Sequence, residues 1–182
     1  MPGARITQGE RVTLRTPEPE DVAFYQRSRT NAEIRVPLGS PLASRAELEE
    51  DFTDSDGDRF LVCVEDDGRP GPVDAADVRR IGDVSVHDMD YRRPELGYWL
   101  IPEVHGNGYG KEAVSLVIDY VFRTYDHPAV GAVAYEFNEA SRGLLESLGF
   151  EEEGRIRRDR FIDGEYVDTF HYGLLREDWR EE

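Results

Sequence analysis

The stretch from Glu95 to Phe150 constrains this chain most, and its hinge is the run His105-Gly106-Asn107-Gly108-Tyr109-Gly110-Lys111. Before the run, ELGYWLI reads as a strand. After it, Val114, Val117, Ile118, Val121 and Phe122 recur at helical spacing, and Ala113 and Leu116 widen that apolar face. A long helix therefore starts inside a glycine-rich turn that leaves a strand. Glycines let backbone N–H groups converge with no Cβ in the way. A helix start adds unpaired N–H donors at the positive end of a dipole. Together they make an anion site, most often one for phosphate; the competing reading is a bare tight turn. Two common phosphate loops do not fit. Gly106 and Gly110-Lys111 are separated by three residues, where a P-loop needs four, and Glu112 stands where Ser or Thr should hold magnesium. A dinucleotide fingerprint needs a third glycine where Lys111 or Ala113 stands.

Length and charge narrow the class. A chain of 182 residues suits a single domain, 1–182, with a sizeable core. The net charge of −17 repels nucleic-acid phosphates and anionic membranes and favours cationic substrates such as amines. One lysine, Lys111, stands against 21 arginines. An acid excess with almost no lysine also suits a halophilic protein working in concentrated salt, where at ~1 M the Debye length is ~3 Å and self-repulsion is screened. Salt adaptation is the expected main cause, because the acids are spread along the whole chain. Cys63 lies in the apolar run FLVCV and reads as a buried small hydrophobe. No signal peptide or membrane-spanning stretch is visible, so the cytoplasm is the expected location. The four histidines and Cys63 show no metal-ligand spacing.

The remaining elements follow in order. RVTLR (11–15) alternates as a first strand, and 21–29 reads as a helix with Val22, Phe24, Tyr25 and Ser28 on its buried side. Residues 31–39 read as irregular, closed by Pro37 and Gly39. Ser44 and Glu47 form a capping box for a helix to about Phe52. Strands are expected at 59–65, 80–88, 95–101, 130–137, 152–159 and 166–175. An extended polar loop joins the first two, and Asp163-Gly164 makes a hairpin turn between the last two. A short helix, 139–148, turns Leu144, Leu145 and Leu148 inward and stops at Gly149. This order predicts a mixed α+β sheet with helices on both faces.

The spacing around the glycines resembles the acyl-CoA loop of the GNAT acetyltransferases, Gln/Arg-x-x-Gly-x-Gly/Ala. His105 stands at the Gln/Arg position, and Gly108 and Gly110 at the glycines. The surrounding text resembles the RimJ/RimL-type branch: GYWLIP (97–102), GNGYGKEA (106–113), FNEASRGLLESLGF (137–150), EEGRIRR (152–158) and DGEYVDTFHYGLLREDW (163–179). The likeness is detailed over the second half and holds in outline over the first. It implies a GNAT fold: a central, mostly antiparallel sheet of six to seven strands, splayed at its middle, with the pantetheine arm of acetyl-CoA in the gap. It implies that the backbone N–H groups of Gly106 to Lys111 hold the pyrophosphate, with Asn107 and Tyr109 in that loop and His105 at its start. Lys111 either contacts phosphate or sits there by chance.

Further roles follow from the resemblance. Trp99 and Leu100 would offer backbone groups to the acyl-CoA arm, and one oxyanion donor of this kind is typically worth about 3–4 kcal/mol of barrier; the Trp99 side chain itself reads as core. Asn138 would both cap a helix and touch the pantetheine arm. Relatives often carry a tyrosine seven residues after this asparagine as general acid. Leu145 occupies that place, so Ser141 is the substitute donor to the departing sulfur. Arg142 would reach a nucleotide phosphate. From the pleat, Glu95 shares Gly97's side and is the first candidate for general base, ahead of His87 and Asp88; the plain alternative is a solvated carboxylate. The expected activity is acetyl-CoA-dependent N-acetylation of a primary amine, most of all a protein N-terminal α-amine, with coenzyme A as product. A small-molecule amine (polyamine, amino acid or antibiotic) and a non-catalytic acyl-CoA-binding module are the alternatives. Neither nucleic acid nor membrane is an expected partner; a homodimer is an allowed assembly.

Overall fold

The computed structural model describes residues 3–53, 57–65, 78–90 and 93–179. Eight strands form one sheet: β1 (Arg5–Gln8), β2 (Val12–Arg15), β3 (Asp58–Glu65), β4 (Val78–His87), β5 (Glu95–Leu100), β6 (Ala129–Tyr135), β7 (Glu151–Ile162) and β8 (Glu165–Leu175). Their spatial order is β1-β2-β3-β4-β5-β6-β8-β7. All neighbours are antiparallel except β5 and β6. The count exceeds the expected six to seven because β1 pairs at the sheet's edge. Its four residues, RITQ, carry too little apolar alternation to announce a strand. The expected hairpin turn is present, with Asp163 at φ 51° and Gly164 at φ 91°. The expected polar loop between β3 and β4 lies, over 66–77, outside the described residues.

Helices cover both faces, as the alternation of the strands demands. Phe60 and Val62 of β3 join a core built on α4 (Tyr109–Thr124), whose Val114, Val117, Ile118 and Val121 are fully buried, and on α5 (Glu139–Ser147). Burying each such side chain is worth roughly 1.5–3 kcal/mol. The intervening Leu61 and Cys63 face the second core, with Val22 and Tyr25 of α1 (Val22–Thr30), Ile34 of α2 (Ala32–Leu38) and Leu48 of α3 (Arg45–Thr53). A short α6 (Arg176–Trp179) follows β8. Among the described residues, no helix is long and apolar enough to cross a membrane.

The capping box holds: Ser44 N–H donates to Glu47 Oε2 at 2.6 Å, and Glu47 N–H to Ser44 Oγ at 3.3 Å. Residues 31–39 correct the expectation of an irregular segment. Asn31 Oδ1 accepts from Glu33 N–H at 3.0 Å as an N-cap, and Gly39 ends the helix at φ 60°. Pro37 sits in the last turn, too late to prevent the helix from forming around Ile34.

The sheet parts at its centre. β5 and β6 pair only through Glu95 with Gly131 and Leu96 with Ala132. β6 then runs on against β8 for its full length, while β5 stays with β4. Ile101 N–H bonds Ile81 O on the β4 side, and Pro94 O accepts from Gly131 N–H on the β6 side, each at 2.8 Å. Backbone groups alternate sides along a strand, so those of Leu96, Tyr98 and Leu100 face β6. Leu96 lies in the paired part; Tyr98 and Leu100 face the opening.

Candidate active site

A cleft of about 730 Å³ passes through that opening. At one end it is lined by the turn and first residues of α4 (His105, Gly106, Gly108 to Lys111) with Asn138, Ser141 and Leu144 of the α5 region. At the other it is lined by Glu33 and Ile34 of α2, Glu95, Tyr135, Asp159, Arg160 and His171. The first group belongs to the α4–α5 face of the sheet and the second to the α1–α3 face, so the cleft joins the two.

The turn is held open by its neighbours. Gly106 and Gly108 take φ 76° and 79°, where a side chain is strained, and Gly108 is the N-cap position of α4. A Cβ on Gly110 would lie 3.0 Å from Leu144 Cδ1, a tight contact that the leucine side chain would have to yield to, so the glycine eases the approach of α4 to α5. Asn107 Nδ2 donates to Val104 O at 3.1 Å and His105 O at 3.2 Å, and Arg11 Nη1 donates to Asn107 O at 2.6 Å. Among the described residues, no backbone acceptor takes the N–H of any residue from 106 to 111. Six consecutive N–H donors at a helix start thus have no backbone partner among the described residues.

The expected site residues divide. Gly106, Gly108, Tyr109 and Gly110 stand in the cleft wall. His105 also does, with Nε2 3.0 Å from Leu100 O. Asn107 lies in the turn and braces it from behind. Lys111 lines the cleft, but its Nζ donates to Ser147 O at 2.8 Å, capping the last turn of α5. Leu100 presents its backbone to the opening. Trp99 does not: its backbone faces β4, and its ring stacks on Phe24 at 5.6 Å and meets Tyr25 edge-on at 5.7 Å. Tyr98, one residue earlier, takes the place expected for Trp99. Asn138 lines the cleft and caps α5, its Oδ1 accepting from Ser141 N–H at 3.1 Å. Arg142 is turned away from the cleft: its guanidinium lies 4.1 Å above the Phe170 ring, and Nε donates to Tyr172 Oη at 3.2 Å.

Glu95 opens onto the cleft, yet the cleft walls desolvate its carboxyl and push its pKa above the usual range, against the pull of His171. A base of raised pKa holds a proton more readily near neutrality. His87 stands opposite Glu95 on β4, with Nε2 2.8 Å from Ser85 Oγ.

Sequence reasoning missed the far wall. His171 Nε2 lies 3.5 Å from Thr169 Oγ1, which donates to Asp159 Oδ2 at 3.1 Å. Glu33 comes from the helix that had read as irregular. Tyr98 was also missed; its Oη is 2.8 Å from Ser141 Oγ, and burial pushes its phenol up to about 12. The alternation of β5 places Tyr98 on the α4–α5 face, and that was the one available signal.

Comparison with known proteins agrees with this geometry. Residues 11–151 match the family model described as an acetyltransferase (GNAT) domain. The chain is 35% identical over 103 residues to YdaF from Bacillus subtilis (strain 168), provisionally named a ribosomal N-acetyltransferase; the match covers 56% of each protein. It is 25% identical over 177 residues to the spermidine N(1)-acetyltransferase of Escherichia coli (strain K12), covering 94% of this chain and 89% of that one. The crystal structure of spermidine N-acetyltransferase from Vibrio cholerae in complex with CoA and spermine is similar with a TM-score of 0.80 at 25% identity, covering 94% of this chain and 99% of that one. Against YdaF and another Bacillus subtilis N-acetyltransferase, YoaA, the match spans little more than half of those relatives' length, 56% and 55%.

Proposed function

The chain belongs to the GNAT acetyltransferase family, and on that premise we propose that it transfers an acetyl group from acetyl-CoA to a primary amine, releasing coenzyme A. The observation that carries this is the cleft, which joins the unpaired amides of Gly106 and of Gly108 to Lys111 on one face of the sheet to a carboxylate-bearing mouth on the other. The residues fit the carrier. The amides of 106–111 would hold its pyrophosphate, and Asn138 and the open backbone of β5 its arm. When bound, the carrier supplies an activated acyl carbonyl on a sulfur leaving group.

The protein's own groups divide the remaining work. Backbone N–H groups of Tyr98 and Leu100 face the opening and can donate to an oxygen that gains charge. Ser141 offers a hydroxyl on the leaving-group side. Glu95 accepts the proton of the incoming ammonium. An α-amine with pKa near ~8 costs about 1.4 kcal/mol to deprotonate at pH 7, whereas an alkylamine near ~10.4 costs about 4.6 kcal/mol, so a base matters far more for the latter. Glu33 and Glu95 at the mouth favour a cationic acceptor of either kind, while Asp159 there is paired with Arg160 at 3.5 Å.

We take a protein N-terminal α-amine as the acceptor, on the strength of the likeness to YdaF and of the small deprotonation cost. A polyamine is the second reading, favoured by the carboxylates of Glu33 and Glu95 and by the likeness to spermidine acetyltransferases over nearly the whole chain. The expected setting is the cytoplasm, where acetyl-CoA is at hand. The test is release of free coenzyme A from acetyl-CoA with a panel of N-terminal peptides and a panel of polyamines. Turnover with peptides and none with polyamines supports the first reading, and the reverse supports the second. Binding of acetyl-CoA without turnover of any amine would mark a non-catalytic binding module.

A further inference from the structure

Tyr98 reaches from the unpaired end of β5 to the first turn of α5. Its Oη lies 2.8 Å from Ser141 Oγ and 3.3 Å from Ser141 O. Ser141 Oγ has no other hydrogen-bond partner among the described residues. Ser147, six residues on, shows what a helix serine ordinarily does: its hydroxyl turns back on Leu144 O at 2.8 Å. The Ser141 hydroxyl is instead drawn out of its helix toward the cleft, which both residues line. A phenol is a stronger acid than an alcohol, so in the short contact Tyr98 is the better donor. A serine oxygen that accepts one bond keeps its own proton free for another acceptor.

The position of Leu145 makes this arrangement meaningful. It is fully buried in the α4–α5 core and does not line the cleft, so it brings no polar group to the site. The phenol arrives from the opposite wall, from a residue 43 positions before Ser141 in the chain.

We propose that Tyr98 is a positioning residue, whose phenol donates to Ser141 Oγ and thereby aims the Ser141 O–H at the sulfur of a bound acyl carrier. This rests on the reading of the cleft as an acyl-CoA site. As the C–S bond breaks, its electron pair stays on sulfur and the Ser141 O–H donates a hydrogen bond to it. The proton that completes the free thiol comes from solvent, and the proton lost by the amine goes to Glu95. Neither hydroxyl has to ionise.

The test is binding, independent of turnover. Affinities for CoA and for desulfo-CoA, which lacks the sulfur, are measured by calorimetry from about pH 7 to about pH 10, a range that spans thiol ionisation. Wild type is expected to favour CoA increasingly as the thiolate forms. Tyr98→Phe should remove about ten-fold of that preference, the scale of one hydrogen bond to a charged group. Ser141→Ala should remove the same amount, and the double variant no more than either single one. Desulfo-CoA affinity should stay unchanged throughout. An unchanged CoA preference in Tyr98→Phe overturns the proposal. So does an equal loss of desulfo-CoA binding, which would mean simple packing, or additive losses, which would mean that the phenol acts by itself. If wild type binds neither compound, the reading of the cleft falls and the proposal with it.

Discussion

Replacing Glu112 tests how the glycine-rich turn before α4 is held in place. Glu112 lies in the first turn of α4, and its Oε1 accepts the N–H of Arg11 at 2.7 Å and of Val12 at 3.1 Å. Its Oε2 accepts Arg11 Nε at 3.1 Å. Arg11 in turn bonds the carbonyl of Asn107 and lies over the Tyr109 ring at 5.2 Å. The start of β2 is therefore tied to the turn through one carboxylate. Glu112→Ala strands two backbone donors, about 1 kcal/mol each, and removes an ion pair. Arg11's side chain is 50% exposed, so that pair adds no more than about 1 kcal/mol. The expected loss is about 3 kcal/mol, or roughly 6–12 °C in melting temperature for a domain of this size. Glu112→Gln keeps an oxygen for both N–H groups and should cost only about 1 kcal/mol.

The acid side gives an independent readout for the same residue. Burial pushes the Glu112 pKa up, but the bonds from Arg11 and Val12 outweigh it, and the pKa is lowered from its usual value. A lowered folded pKa means that stability is present above the unfolded value, about 4.5, and is lost as pH falls through the folded value. Glu112→Gln should flatten that part of the stability profile. Denaturant melts at pH 7 and below pH 4.5 measure both effects. A loss below about 1 kcal/mol in the alanine variant, or equal losses in the two variants, would refute the account of the turn's support.

Gly108→Asp should abolish acetyl-CoA binding, because it places a carboxylate at the amides and its Cβ 3.1 Å from Arg11 Nη2 in a left-handed backbone; retained affinity by calorimetry counts against the phosphate assignment. With Glu95 as base, kcat/KM for a fixed amine should rise with pH through a pKa above the usual glutamate value, since burial raises it. Glu95→Gln should lose that limb while acetyl-CoA affinity holds, and an unchanged profile removes Glu95 from the role. The net charge of −17 should make melting temperature rise with potassium chloride; a value flat from dilute to molar salt would sink the reading of salt adaptation.

Local signals in the sequence determined a good deal. The apolar spacing from Ala113 to Phe122 determined α4, since a helix of that length reports its buried face by period alone. Three glycines at a helix start determined the turn whose amides stay unpaired. The Ser44–Glu47 box and Asp163-Gly164 determined a helix start and a turn from two residues each. The seven-residue α2 was not legible, because Pro37 and Gly39 read as breakers while its asparagine cap was the weaker cue. β1 was not legible because an edge strand of four residues is held by its partner and not by its own pattern.

Only the tertiary structure decided which side chains meet in the cleft. Tyr98 and Ser141 are brought together, as are Glu33, Glu95, Asp159 and His171, from five separate elements, and no local period encodes such distances. Arg142 looked available for a phosphate, but it is stacked on Phe170, a contact that depends on how α5 lies against β8. The gap itself exists because β6 continues along β8 while β5 continues along β4, leaving two paired positions between them. Strand partners are chosen by long-range hydrogen bonding and burial across the sheet. The sequence therefore wrote a run of unpaired backbone donors into one short stretch, whereas the opening beside them is a product of the assembled sheet.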